Sequence, residues 1–305
     1  MTRTGELYVV RDGTREAVVT ELGAGLFRVN WDGTELLSSV ADDGFGGFGC
    51  HGQMLLPWPG RVAGGRYEHE GETYQLPLDD HTHGAAIHGW ARWATWRLVD
   101  SSPGRLVMGW RMLAQDGYPF CFDFEQAYAW TAGRFEVRLD GVNTSGRPAP
   151  IGYGAHPYFN LGASSVDELE LTVPASSYVP VDSALNPTGP PLPVQGTPYD
   201  FRQGTVVGSA RLDVTLADLE RDDEGMVTVG VTAPSTGVRL GLHYQRPIDY
   251  VQVYSGDTLV FGRRAGLAVE PYTCVPNAFN NKMGLALVPP GGTFSVRWAM
   301  SVTAV

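Results

Sequence analysis

The most restrictive feature of this sequence is a hydrophobic period of two. In FCFDFEQAYAW (120–130), Phe120, Phe122, Phe124, Tyr128 and Trp130 share one parity, while Asp123 and Glu125 fall on the other. Successive side chains of an extended chain point to opposite faces, so this pattern predicts a strand with one buried face. After Thr131-Ala132-Gly133 the parity resumes at Phe135, Val137 and Leu139, which predicts the return strand of a hairpin. The same grammar recurs in LYVV, EAVVTEL, LFRVNW, RLVMGWRML, LELTV, GMVTVGVT, GVRLGLHY, YVQVYS, LAVE and FSVRWAMSV.

Between these segments, 39 Gly and 21 Pro act as turn punctuation, and no stretch of more than about ten residues keeps a helical apolar stripe. Short, regularly spaced strands without alternating helices predict an all-β fold, a large antiparallel sandwich with few short helices. The Pro-rich, weakly periodic segment 174–200 could be a linker. The strands on both sides look alike, so a surface excursion within one domain spanning 1–305 is expected.

A net charge of -11 disfavours nucleic acid and anionic membrane surfaces as partners. No run approaches the roughly 20 apolar residues of a membrane span. Cys50, Cys121 and Cys274 are odd in number and lack Cys-x-x-Cys spacing, which fits a reduced compartment rather than a disulfide framework or zinc ribbon. The expectation is a soluble cytoplasmic protein, with the Asn143-Thr144-Ser145 sequon a chance match.

Several chemical motifs fail in context. Gly44, Gly46 and Gly49 satisfy the spacing of a dinucleotide fingerprint, but ADD precedes them instead of a buried strand, and Pro57 and Pro59 stand where a helix should run. His81 and His83 could recruit a metal with His88 or His69, yet DDHTHG reads better as a polar loop. No cofactor and no metal are expected.

Three segments are harder to dismiss. AAIHGWARW carries His88, GAHPYFNLG carries His156, and LAVEPYTCVPNAFNN ends an apolar strand on Glu270. Singly, each could be a satisfied core histidine or a turn glutamate. Together they supply an acid, a base and aromatic walls. Around them lie Trp58, Trp90, Tyr118, Tyr153, Tyr158 and Phe279, with Arg61, Asp213 and Gln252 as multidentate polar groups. Sugars present C–H faces that stack on aromatic rings and hydroxyls that pair with such groups.

These pieces resemble the aldose 1-epimerase (mutarotase) family, in its bacterial branch with a Pro-Trp-Pro segment. The resemblance rests on LLPWPGRV (55–62), AIHGWARW (86–93), GYGAHPYFNLG (152–162), TPYDF with LDVTLADLE (197–220), YVQVYSG (250–256) and VEPYTCVPNAFN (269–280), in the family's order along almost the whole chain. It implies a galactose mutarotase-like β-sandwich and interconversion of the α and β anomers of a hexose or pentose by ring opening. It assigns Glu270 as general base, His156 as general acid and His88 as the second active-site histidine. It places Arg61, Asp213 and Gln252 on the sugar, with Trp58 and Tyr158 as its aromatic neighbours. One departure stands out: Gly60 occupies the position where the branch usually carries Asn before the arginine, which bears on sugar preference.

Three alternatives use the same scaffold. Glycoside hydrolysis or lysis would need a second carboxylate besides Glu270, for which Asp213 is the candidate. A non-catalytic sugar binder would not need His156 and Glu270 together. A hexose-6-phosphate epimerase would want a cationic cluster, drawn from Arg92, Arg246, Arg263 and Arg264.

Overall fold

The structure is a computed structural model and describes residues 2–38, 49–260 and 262–304. Gly44 and Gly46 of the glycine-rich segment lie outside the described residues.

Two large sheets dominate. The first has nine strands in the order Arg97–Ser102, Arg105–Met112, Phe122–Thr131, Arg134–Asn143, Thr293–Ala304, Val238–Tyr244, Val227–Ala233, Glu170–Thr172 and Thr205–Val206. The expected hairpin is at its centre, with Trp130 directly opposite Phe135 and Phe135 opposite Met300 on the far side. Along Phe122–Thr131 buried and more exposed residues alternate as the sequence predicts. The apolar face is close-packed, the Trp130 and Phe135 rings lying 4.6 Å apart.

The second sheet has eight strands, ordered Leu192–Pro193, Ala175–Tyr178, Asp213–Leu219, Tyr250–Tyr254, Leu267–Tyr272, Gly154–Ala155 and Met54–Leu55, with Tyr158–Phe159 also paired to Leu267–Tyr272. The segment at 174–200 is therefore more than a surface excursion. Ala175–Tyr178 pairs with Asp213–Leu219, and Leu192–Pro193 closes the edge. Its strands are too short and Pro-rich to print a period.

Val214, Leu216, Val251, Val253, Leu267 and Val269 of the second sheet share one hydrophobic core with Phe122, Phe135, Leu240, Leu242, Val296 and Met300 of the first. This is the expected sandwich: two apolar faces pressed together. A four-stranded sheet from Leu7–Asp12 to Thr34–Glu35 adds Val10, Val19 and Val29 to the same core. Among the described residues every strand ladder is antiparallel, and the helical elements are Ala91–Trp93, Val166–Glu168 and Ala278–Asn281.

The three cysteines are free thiols. Asn143 is buried, and its amide donates to the carbonyls of Arg147 and Val288, so that side chain is committed to the fold. Among the described residues no helix is long and apolar enough to cross a membrane.

Candidate active site

The second face of the eight-stranded sheet carries the candidate site residues. Where Val251 and Val253 point to the core, Gln252 between them points away, and the same holds for Thr215 between Val214 and Leu216 and for Glu270 next to Val269. Register then lines these residues up. Thr215 is opposite Gln252, and Gln252 is opposite Glu270. On the far side, Gly154 pairs with Tyr272 and Tyr158 with Ala268, so position 156 falls opposite position 270 where Pro157 interrupts the strand. Thr215, Gln252, Glu270 and His156 thus form one row across the sheet.

Hydrogen bonds fix this row. Thr215 Oγ1 donates to Gln252 Oε1 at 2.5 Å, and Gln252 Nε2 donates to Asp213 Oδ1 at 2.6 Å. That network orients the Gln252 amide. Glu270 is 1% exposed and His156 6%, with His156 Nε2 3.5 Å from Glu270 Oε1. Glu270 Oε2 and His156 Nδ1 are buried without a protein hydrogen-bond partner. Buried polar atoms left without a partner are costly in an apolar interior and are expected where a polar ligand completes the set.

Burial pushes the Glu270 carboxyl well above the usual carboxylate range, with the nearby Tyr272 hydroxyl and Arg61 opposing it. Burial, with His51 second, pulls the His156 imidazole down to about 3. Both shifts favour uncharged forms. A carboxylic acid beside a neutral imidazole carries the same single proton as a carboxylate beside an imidazolium. The two arrangements differ only in which group holds that proton.

His88 stands across from His156, the ring centroids 5.5 Å apart. Its backbone is left-handed, φ 61°, and leads into Gly89 at φ 62°. A Cβ at Gly89 would meet the Leu56 carbonyl oxygen at 2.0 Å, so only glycine lets the chain turn there. The Gly60 N–H donates to His88 Nδ1 at 3.0 Å, and the His88 N–H donates back to the Gly60 carbonyl at 2.9 Å. Nδ1 is therefore an acceptor, and the neutral ring carries its proton on Nε2. Burial lowers the His88 pKa well below its ordinary value, with His156, Arg92 and Arg61 adding to the effect. Gly60 itself has φ 65°, and a Cβ there would lie 3.0 Å from Pro276. The missing Asn side chain thus coincides with a backbone packed tightly against Pro276.

The aromatic residues are placed unequally. Tyr158, 2% exposed, is stacked between His51 at 4.1 Å and His156 at 4.8 Å, and its hydroxyl donates to the Gly49 carbonyl. Trp58, 3% exposed, belongs to the main core, its ring 4.8 Å from Trp90 and 5.5 Å from Phe279. Tyr118 and Tyr153 are fully buried, and the Trp298 Nε1–H donates to the Tyr153 hydroxyl.

Arg61 is held by Asp80, with Nε donating to Oδ2 at 2.7 Å. Asp213, solvent-accessible at the rim, is nonetheless ringed by protein: burial raises its carboxyl while Arg61 and His83 oppose the rise. Of the arginines that could serve a phosphate, Arg92 is buried against Asp79 and near Cys50. Arg264 binds Asp167 and Asp257, and Arg246 lies on Asp249. The histidines considered for metal are dispersed: His81 is exposed, His69 faces the Pro148 carbonyl and His83 faces Asp80.

Sequence reading missed Thr215, Tyr272, Asp80 and His51, and considered His83 only as a metal ligand. Thr215 shares the parity of Asp213 and Tyr272 that of Glu270, and both could have been found from it. His51, in a turn beside Cys50, gives no periodic signal.

The sequence profile of the aldose 1-epimerase family matches residues 6–301. The chain belongs to the aldose 1-epimerase family. It is 30% identical over 289 residues to the uncharacterized protein YihR of Escherichia coli (strain K12), covering 94% of this chain and 90% of that protein. It is 25% identical over 259 residues to the galactose mutarotase of Mus musculus, covering 77% and 73%. Among solved structures, an aldose epimerase homologue from C. elegans superimposes with a TM-score of 0.88 at 18% identity over 98% of this chain and 99% of that one. The galactose 1-epimerase of Lactobacillus acidophilus NCFM does so at 0.81, 21% identity and 100% and 96% coverage. Family membership and the galactose mutarotase homologues support a mutarotase-type function.

Proposed function

We propose that the protein is an aldose 1-epimerase, with a free monosaccharide as substrate, Glu270 and His156 as its acid/base pair and no cofactor. The observation that carries this reading is the adjacency of the two groups, 3.5 Å apart, each with a further polar atom buried and unpartnered. Opening an aldose ring takes a proton from the anomeric hydroxyl and delivers one to the ring oxygen. Both oxygens are bonded to the same carbon, so acceptor and donor must stand side by side. Glu270 as carboxylate accepts the hydroxyl proton while His156 gives its proton to the ring oxygen as the C1–O5 bond breaks. The aldehyde rotates about C1–C2, and reversal of the two transfers closes the ring on its other face. Each turnover begins and ends with one proton on the pair.

His88, donating from Nε2, steadies the charge that develops at the ring oxygen. Gln252, Asp213 and Arg61 bind the sugar hydroxyls. Trp58 shapes the wall behind them and Tyr158 holds the His156 ring in plane. Three free cysteines favour a reducing compartment, consistent with a cytoplasmic enzyme.

Freshly dissolved α-anomers of glucose, galactose, arabinose, xylose and glucose 6-phosphate, followed by polarimetry, test the reading and rank the substrates. At least one sugar should equilibrate faster with the protein, and Glu270→Gln should lower kcat by roughly 10²- to 10⁴-fold. Full activity in that variant, or no acceleration of any sugar by the wild type, overturns the assignment.

A further inference from the structure

The loop between strands Glu72–Gln75 and Ala85–Ile87 holds a second polar device built on one carboxylate. Asp80 Oδ2 accepts from Arg61 Nε at 2.7 Å and lies 2.8 Å from His83 Nδ1, while Asp80 Oδ1 accepts the His83 backbone N–H at 3.2 Å. Burial tends to raise the Asp80 carboxyl, but the bonds from Arg61 and His83 outweigh it and hold the group below its ordinary value. A carboxylate only accepts, so His83 Nδ1 carries a proton. In the neutral ring Nε2 is then a fixed acceptor.

We propose that His83 is a substrate-binding residue whose Nε2 accepts a hydrogen bond from a sugar hydroxyl to which Arg61 simultaneously donates. This rests on the mutarotase reading and adds a specificity contact to it. A guanidinium can only donate, and a hydroxyl both accepts and donates, so Arg61 alone leaves the hydroxyl's own hydrogen without a partner. His83 supplies the missing acceptor from the same anchor. Its position fits the role. Arg61 and His83 side chains are 17% and 23% exposed, so both keep solvent-accessible surface while Asp80, at 11%, is the more buried anchor between them. Both also act on the carboxylate of Asp213, at the rim of the catalytic row.

The test is His83→Ala, with His83→Gln as the variant that retains an acceptor. KM for the preferred sugar and its dissociation constant by calorimetry are measured beside kcat and the thermal midpoint. Loss of one hydrogen bond should raise KM and Kd by roughly 3- to 10-fold in the alanine variant, leave kcat within about two-fold and recover in part with glutamine. One monodeoxy analogue of the sugar, lacking the contacted hydroxyl, should bind wild type and His83→Ala equally. If the wild type is active and His83→Ala keeps its KM and Kd on every sugar, the His83 contact is wrong and the mutarotase reading stands. A fall in kcat and thermal midpoint with KM unchanged makes His83 structural and also overturns it. If the wild type binds sugar without turnover, the mutarotase reading falls and His83 is judged on Kd alone. If it binds no sugar, both fall.

Discussion

The two large sheets use the same alternating code to opposite ends. In the nine-stranded sheet the second face meets water: Phe122–Thr131 buries Phe122, Phe124, Gln126, Tyr128 and Trp130 while Asp123, Glu125 and Thr131 are exposed. In the eight-stranded sheet the second face is covered at Leu267–Tyr272, where all six residues are buried and Glu270 sits where a surface sheet would carry a solvated glutamate. A polar residue on a wet face is structurally silent. The same residue on a covered face is desolvated, shifted in pKa and available for chemistry. One sheet is a wall; the other is a wall with the candidate reaction surface on its back.

If that division is right, substitutions in the two sheets should separate activity from stability. Glu270→Gln should cost its roughly 10²- to 10⁴-fold in kcat yet be at least as stable as wild type at neutral pH. Burial has raised the Glu270 pKa, so its contribution to stability is lost as pH rises through the folded value, and the amide avoids that loss. Phe135→Ala, fully buried against Trp130 in the other sheet, should do the reverse. It should remove about 3–5 kcal/mol of unfolding free energy in urea and leave the kcat of the folded fraction unchanged. Similar activity losses in both would break the comparison.

A smaller effect is carried by pH. His156 falls from 6.5 to about 3 on folding, so it takes up no proton in the native state while the unfolded chain does. Its stabilising contribution is whole above 6.5 and drains away as pH falls toward 3. The difference in unfolding free energy between wild type and His156→Gln should shrink by about 1.4 kcal/mol per pH unit of acidification through that window. A pH-independent difference would mean that the imidazole is not desolvated.

Thr215→Val should give the smallest change. It keeps the shape and removes the donor to Gln252 Oε1, loosening the amide that holds Asp213. KM should rise roughly 3- to 10-fold with kcat little altered. No change in KM would detach Thr215 from the binding row.

The Gly60 position joins the two ways of reading the chain. Its departure from the family pattern is visible in the sequence. That its backbone is left-handed, packed on Pro276, and donates to His88 Nδ1 is not. The loop DDHTHG similarly reads as polar, and only the fold turns Asp80 inward to bind Arg61 and His83 together.

By itself the sequence determined what depends on neighbours along the chain: the hairpin at 122–143, the scarcity of helices, the buried parity of strands such as Phe122–Thr131 and Arg134–Asn143, and a glutamate ending an apolar run. Local alternation sets which side chains share a face, and no distant partner is needed to read it. Tertiary structure decided which faces oppose one another. Thr215, Gln252, Glu270 and His156 come from four separate segments, and their single row exists only because strand pairing fixes the register between them. Desolvation is likewise a property of what covers the second face. The alternating code is the same in both sheets, and only packing makes one glutamate a surface charge and the other a candidate catalytic base.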